Sequence, residues 1–355
     1  MTIPVTKNPT PGQKPAPGQA LPFGRLFTDH MLLMNYEKNQ GWHNLRIEPY
    51  GNFSLAPSAM VFHYAQEVFE GMKAYPAPGG GTLLFRPMEN LRRLNTSCHR
   101  LCIPELPLDD VFEGLKALLK LEGGWVPQDP GTSLYIRPTV IATEPALGVK
   151  ASSSYLFFVI LSPVGAYYAN GFKPVRIVVE EEYTRAAPGG TGRAKCGGNY
   201  AGSIRAGMQA HEKGFDQVLW LDAAERKNVE EVSSMNIFFV MDGELVTPAL
   251  GDTILPGITR DSILKLAGQM GIPARQRRVP LKELVEAHAA GTLQEIFGAG
   301  TAAVVSPVAS LTVDGRELVV GDGEAGPVTM KLHDTLSGIQ RGEAGLEHPW
   351  VVHII

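Results

Sequence analysis

One lysine is set apart by its neighbours. Lys195 lies in PGGTGRAKCGGNY, with Gly189, Gly190, Gly192, Gly197 and Gly198 around it. Glycine carries no side chain, so a backbone or a ligand can come close. The plain alternative is a solvated lysine in a mobile surface loop. A free lysine is a poor nucleophile, with a pKa of ~10.4. Burial or a nearby cation lowers that value, and the neutral amine can then form a Schiff base. Such lysines often serve pyridoxal phosphate. That cofactor needs a carboxylate for its ring nitrogen, a cup for its phosphate and a substrate pocket. Candidates for the first two are present. Glu230 and Glu231 open EEVSSMNIFFV, LPGITR (255–260) leads Gly257, Ile258 and Thr259 into a helix, and FGAGTA (297–302) offers a glycine–threonine turn. Each is weak alone, because a strand-end carboxylate, a helix cap or an ordinary turn reads the same.

Other chemistries lack their residues. The nine histidines form no HxH pair, and His211-Glu212 is followed by Phe215 where a zinc helix needs its second histidine. The three cysteines make no CxxC, and no GxSxG elbow occurs. A P-loop needs glycine before its lysine and Ser/Thr after it, but Ala194 and Cys196 flank Lys195. We therefore expect no catalytic metal.

These residues must be positioned by a globular scaffold. The chain has 355 residues, enough for about two domains at ~150 residues each. Lys+Arg 32 against Asp+Glu 36 leaves a net charge of -4, which argues against a nucleic-acid partner. Three cysteines cannot all pair, no apolar run is long enough to span a membrane, and residues 1–22 carry no leader pattern. A cytoplasmic protein is expected. Residues 1–22, with six prolines, read as a mobile extended arm. Leu108, Val111, Phe112, Leu115, Leu118 and Leu119 share one helical face, so 108–121 is a helix. Further helices are expected over 88–100, 261–270, 281–290 and 328–340. Strands are expected over 82–85, 133–142, 155–162, 175–180, 217–222, 232–241 and 245–247, with shorter ones at 294–297, 302–305 and 317–320. Asp242-Gly243 is a hairpin signal. Residues 169–174 read as an interdomain linker, between domains at 23–168 and 175–355. Strands and helices mix in both halves, which gives an α/β (α+β) class.

Ten stretches, taken together, resemble the branched-chain-amino-acid aminotransferases, pyridoxal-phosphate enzymes of fold type IV. They are FGRLFTDHM (23–31), FHYAQEVFEGMKAY (62–75), LFRPMENLRRL (84–94), SLYIRP (133–138), EPALGV (144–149), LSPVGAYY (161–168), PGGTGRAKCGGNYAGS (188–203), EEVSSMNIFFV (230–240), ILPGITRDSIL (254–264) and FGAGTAAVVSPV (297–308). The resemblance implies a small N-terminal and a larger C-terminal domain with the cofactor between them. It implies that Lys195 forms the Schiff base and moves the Cα proton, and that Glu231 pairs with the pyridine nitrogen. Tyr200 would meet the phenolic oxygen. Arg93, rather than Arg92, would hold the phosphate with Ile258, Thr259 and Thr301. Tyr64 and the Thr301–Ala302 backbone would bind the substrate α-carboxylate. Phe23, Phe69, Tyr135 and Tyr200 would line the side-chain pocket, with Val149 entering from a partner subunit, and Arg137 would help that pocket accept glutamate. The implied reaction passes the amino group of leucine, isoleucine or valine to 2-oxoglutarate, in a homodimer or higher homo-oligomer.

The chain departs from animal members at Ala303 and Ser306, where those carry a redox-active CxxC. Cys98 and Cys102, spaced i,i+4, read as a structural pair on one helix face. A D-amino-acid aminotransferase, an aminodeoxychorismate lyase or a non-catalytic cofactor-binding protein would share Lys195 and Glu231. FEGMKAY, EPALGV and Arg137 favour the branched-chain reading over the two other enzymes, and the joint presence of the lysine, the ring carboxylate and the phosphate ligands speaks against the non-catalytic one.

Overall fold

The computed structural model describes residues 2–165 and 172–354. The chain divides into two compact units. The first comprises residues 1–167, 194–197 and 338–355, and the second comprises 168–193 and 198–337. This division differs from a single cut near residue 170. The lysine segment and the last residues belong with the N-terminal unit. Residues 169–171 of the expected linker lie outside the described residues.

The first unit opens with β1 (His30–Glu37), β2 (Gly41–Pro49), α1 (Met60–Tyr64), β3 (Glu67–Phe69), β4 (Met72–Pro76), β5 (Thr82–Phe85), α2 (Pro87–Arg100), α3 (Leu108–Glu122), β6 (Ser133–Ala142) and β7 (Ser154–Val164). The second holds β8 (Val175–Val179), α4 (Gly197–Ala201) from its second residue, α5 (Ile204–Glu212), β9 (Gln217–Leu221), β10 (Val229–Val232), β11 (Met235–Met241), β12 (Glu244–Pro248), α6 (Ile258–Gln269), β13 (Ala274–Arg277), α7 (Leu281–Ala289), β14 (Leu293–Gly300), β15 (Val304–Val313), β16 (Arg316–Val319) and most of α8 (Pro327–Gln340). The chain then returns to the first unit with β17 (Val351–Ile354).

The first sheet runs β17-β5-β4-β6-β7-β1-β2, with β3 also on β6, and every pairing in it is antiparallel. Helix α3 covers it as its pattern predicts. Val111, Leu115, Leu118 and Leu119 are buried, while Asp109 and Asp110 sit in the first turn, where the helix dipole favours anions. Gly114 on the same face lies against Leu32 of β1.

The second sheet runs β10-β9-β8-β15-β14-β11-β12-β13, and β10 also pairs with β11. Six strands therefore close into a ring, which leaves no free edge among them. All seven residues of β11 are buried, as in a strand covered on both faces. Asp242 and Gly243 take positive φ between β11 and β12, the left-handed pair that a two-residue hairpin demands.

Three expectations are revised. The run 232–241 is not one strand, because the chain turns at Ser233, with φ +46, and pairs Val232 with Met235. Helix α6 starts at Ile258, three residues earlier than its apolar pattern suggests, with Gly257 as N-cap. Residues 2–22 are not a loose arm. Thr6 N–H donates to Ile47 O, Ile47 N–H to Pro4 O, Asn8 N–H to His30 Nε2, Gly12 N–H to Asp29 Oδ1 and Gly165 N–H to Leu21 O. Proline supplies no N–H of its own, but its carbonyl and its neighbours' amides still bind.

Candidate active site

The first unit gathers several segments around Lys195. Residues 194–197 run beside β3, where Phe69 N–H donates to Lys195 O at 3.0 Å. Lys195 N–H donates to Ser97 Oγ at 2.9 Å, which ties the segment to α2. The lysine is thus held by its own backbone at both ends. Its Nζ lies 4.8 Å from the centre of the Phe69 ring. Burial lowers its pKa to about 8, helped by the cations Arg93 and Arg137 and opposed by Glu70. Such an amine is neutral in a substantial fraction of molecules near physiological pH.

Strand β6 supplies two further neighbours. Tyr135 and Arg137 are two residues apart and so share a face. The Arg137 guanidinium lies 4.8 Å over Phe69 and 5.2 Å from Tyr135, and its Nη2 donates to Tyr135 Oη at 3.0 Å. Its Nε is buried with no hydrogen-bond partner. Phe23 packs edge-on to Tyr135 at 4.9 Å. Phe69 is therefore shared by the guanidinium and the amine, with Tyr135 beside the guanidinium and Phe23 behind Tyr135. Tyr64 ends α1, and its hydroxyl donates to Leu147 O. Val149 lies in the same loop as Leu147 and is 85% exposed.

Helix α2 separates the two neighbouring arginines by its geometry. Arg92 faces solvent and pairs with Glu89 one turn away at 2.6 Å. Arg93 is buried. Its Nε and Nη2 donate to the two oxygens of Glu70 at 2.7 and 2.9 Å. Asn90 Nδ2 also donates to Glu70, at 2.9 Å. Burial alone would raise the Glu70 pKa, but the Arg93 guanidinium outweighs it and holds the carboxyl below its usual range. Glu70 and Ser97 carry no signal by residue type and were missed by sequence reasoning. Glu70 lies within FEGMKAY, and Ser97 follows Arg93 by i+4 on the same helix face.

The second unit holds the remaining candidates. Strand β10 is buried throughout, and its ladder to β9 is irregular between Val229 and Glu231. Glu230 accepts from Thr253 Oγ1 at 2.5 Å, and burial raises its pKa. Glu231 is 2% exposed. Its Oε1 accepts from Asn236 Nδ2 at 2.9 Å and from Leu255 N–H at 3.2 Å, and its Oε2 pairs with Arg185 Nε at 2.6 Å. Asn236 and Arg185 were also missed. The hairpin register places Asn236 directly opposite Glu231, a neighbour visible only once the Ser233 turn is known. Gly257 needs to be glycine, because a Cβ there would collide with Asn236 Oδ1. No side chain caps α6, so its first amides, at Ile258 and Thr259, are oriented as an anion seat would need. Thr301, Ala302 and Ala303 connect β14 to β15, and Val304 closes the turn at φ +61. A β-branched residue in that region is strained, and such strain clusters at ligand sites. Tyr200 lies in the short helix α4.

The cysteines divide by burial. Cys98 packs into the core of the first unit, where burial pushes its thiol up to about 12. Cys102 falls beyond the end of α2, with φ +55, and is exposed, so the two do not share a helix face.

The amino-transferase class IV family matches residues 67–311. The chain is 54% identical over 343 residues to branched-chain-amino-acid transaminase 1 of Bacillus subtilis (strain 168), covering 96% of each. It is 51% identical over 353 residues to branched-chain-amino-acid aminotransferase 2 of the same organism, covering 99% of this chain and 97% of that one. Among solved structures, the Escherichia coli branched-chain amino acid aminotransferase superposes with a TM-score of 0.77 at 29% identity, over 92% of this chain and 99% of that one. The T.th. branched-chain amino acid aminotransferase complexed with N-(5'-phosphopyridoxyl)-L-glutamate superposes with a TM-score of 0.72 at 28% identity, over 91% and 98%. The chain belongs to the branched-chain-amino-acid aminotransferases of class IV, which have fold type IV.

Proposed function

We propose that the protein transfers the amino group of leucine, isoleucine or valine to 2-oxoglutarate. The products are the branched 2-oxo acids and L-glutamate, and the two substrates alternate in one pocket. The arrangement of Phe69, Tyr135 and Arg137 around Lys195 carries this reading. Aromatic walls suit a branched apolar side chain, and a half-buried guanidinium among them suits an acidic one.

The residues fit pyridoxal 5'-phosphate. Lys195 offers a largely desolvated amine of lowered pKa, Glu231 a buried carboxylate held by three donors, and α6 an uncapped N-terminus. When bound, the cofactor supplies an electron sink that makes the substrate Cα–H bond acidic. Lys195 Nζ, as a neutral amine, would take the Cα proton and pass it to the cofactor's C4′, and would run the same transfer in reverse for the second substrate. Glu231 would hold the proton on the pyridine nitrogen, and Tyr200 would donate to the phenolic oxygen. Arg93, Ile258, Thr259 and Thr301 would hold the phosphate, the middle two partly through backbone N–H groups. Tyr64 and the Thr301–Ala302 backbone would orient the α-carboxylate. Phe23, Phe69, Tyr135 and Tyr200 would exclude water from the side chain, while Arg137 would meet the second carboxylate of glutamate. Val149, exposed as it is, would enter the pocket of a second copy, so the working form would be a homodimer or a larger homo-oligomer. A cytoplasmic location fits a protein whose described helices are all too short or too polar to cross a membrane.

The test is an absorbance titration of the purified holoenzyme. Leucine should bleach the cofactor's visible band, and 2-oxoglutarate should restore it. A band that ignores L-leucine but answers a D-amino acid would overturn the substrate assignment.

A further inference from the structure

We propose that Glu67 governs, through Arg137, how well the pocket accepts a dicarboxylic substrate. When ionised, its charge offsets that of the guanidinium across Phe69, and when neutral it leaves the full Arg137 charge to the substrate's second carboxylate. This rests on the proposed role of Arg137.

The register of β3 on β6 sets up the relationship. Glu67 pairs with Ile141 and Phe69 with Thr139, so Arg137 follows on the same face of the sheet. Along that face Phe69 lies between the carboxyl and the guanidinium, and Arg137 rests on the Phe69 ring at 4.8 Å. The Glu67 carboxylate accepts the N–H of Gly197, two residues beyond Lys195. A Cβ at 197 would displace that oxygen, so glycine lets the carboxylate sit close to the lysine segment. The carboxyl is thus held at the lysine segment by one backbone hydrogen bond.

Burial raises the Glu67 pKa, and the Gly197 N–H and the Arg137 charge offset this only in part. Charged groups on the neighbouring elements are otherwise engaged. Arg93 of α2 is bound by Glu70, and Lys195 Nζ lies on the Phe69 ring. Arg137 of β6 is the cation that acts on Glu67.

The two substrates should feel this carboxyl differently. The leucine side chain is uncharged and is nearly indifferent to it. The second carboxylate of 2-oxoglutarate would meet a like charge close to its cation whenever Glu67 is ionised. Binding of the diacid is then linked to uptake of a proton at Glu67. As pH falls, Glu67 becomes neutral and preference should shift toward the diacid.

The experiment measures the two half-reactions separately on the holoenzyme, with leucine and with 2-oxoglutarate, from acid to mildly alkaline pH. The readout is the ratio of kcat/KM for 2-oxoglutarate over leucine. In the native protein the ratio should rise roughly 3- to 10-fold as pH falls, mainly through KM for the diacid. Glu67→Gln keeps the shape and the acceptor for Gly197 N–H, and it should give a high ratio that no longer varies with pH. Arg137→Met should lose the diacid half-reaction selectively and flatten the same slope, which tests the proposal even if Glu67→Gln folds poorly. An undiminished diacid half-reaction in Arg137→Met overturns the Arg137 reading and this proposal with it. A selective loss in Arg137→Met, combined with an unchanged slope in Glu67→Gln or no slope in the native protein, overturns this proposal alone.

Discussion

Arg93 closes two hydrogen bonds on Glu70, at 2.7 and 2.9 Å, and both side chains are buried. The pair lies within electrostatic reach of Lys195, which Arg93 pushes toward the neutral amine and Glu70 toward the ammonium. Glu70 therefore decides how much of the Arg93 charge the lysine feels. Removing one partner of a buried pair leaves the other uncompensated. Glu70→Ala should cost ~3–5 kcal/mol, read as a lower urea midpoint with an unchanged slope. Replacing both, as Glu70→Met with Arg93→Met, should recover much of that stability while impairing cofactor binding. If the single variant were as stable as the native protein, the pair would not be the desolvated bridge described here.

Lys195 carries its own pH signature. Its folded pKa, about 8, lies below that of a lysine in the unfolded chain. The unfolded state therefore binds more protons between the two values, and stability must rise with pH across that window. Below about pH 8 the group costs the cofactor-free protein stability, by at most ~3 kcal/mol at 1.36 kcal/mol per pKa unit. Lys195→Met should stabilise the cofactor-free fold near neutral pH, lose that advantage toward pH 10 and abolish turnover. Urea unfolding of the two proteins across this range measures the first effect, and near-full activity in the variant would refute the second.

Arg185 and Glu231 face each other in the second unit at 2.6 Å, with both side chains about 95% buried or more. Arg185 Nη1 also donates to Thr253 O at 2.8 Å. Substituting Arg185→Met removes the cation while Asn236 and Leu255 keep their bonds to Glu231. The carboxyl should then shift toward its neutral form, because desolvation is less opposed. The expected outcome is a loss of ~2–5 kcal/mol in stability and weaker retention of pyridoxal phosphate on dialysis, followed by absorbance. Unchanged retention would separate Arg185 from the role proposed for Glu231.

Legibility in the sequence followed the physics of each element. Helix α3 was readable because one face is apolar at helical spacing, and the β11–β12 hairpin because Asp-Gly favours positive φ. Strands β1 and β2 were passed over. The first, HMLLMNYE, is mostly buried and shows no alternation, and the second, GWHNLRIEP, alternates only weakly. Lys195 and LPGITR stood out because clustered glycines are a local signal, whereas the choice of Glu231 over Glu230 came only from the resemblance, and the first turn of α6 carries no apolar pattern. Glu70, Ser97, Arg185 and Asn236 were missed, since each acts through a partner distant in sequence or across a turn. Arg93 lies 23 residues from Glu70, and no pattern of residue types announces that distance.

The N-terminal segment offers a test of how far backbone hydrogen bonds can order a proline-rich chain. Its composition predicts an extended, solvated arm. Yet Val5 bridges Ile47 in parallel, and the amides of Thr6, Asn8, Gly12 and Gly18 reach Ile47 O, His30 Nε2, Asp29 Oδ1 and Asp129 Oδ2. The prolines reduce the entropy lost when the segment settles, because φ is already fixed. At ~0.5–1.5 kcal/mol per bond, less where water competes, the segment should contribute ~2–4 kcal/mol. It also ends at Phe23, whose ring meets Tyr135 at 4.9 Å. Deleting residues 2–18 should therefore lower the urea midpoint and raise KM for leucine severalfold, leaving kcat less affected. Hydrogen exchange gives the direct check. The amides of Thr6, Asn8 and Ile47 should be protected in the full chain, and Ile47 should lose protection in the truncated one. Exchange of all three at unfolded-chain rates would show that the arm is loose and that Phe23 is positioned by its ring contacts alone.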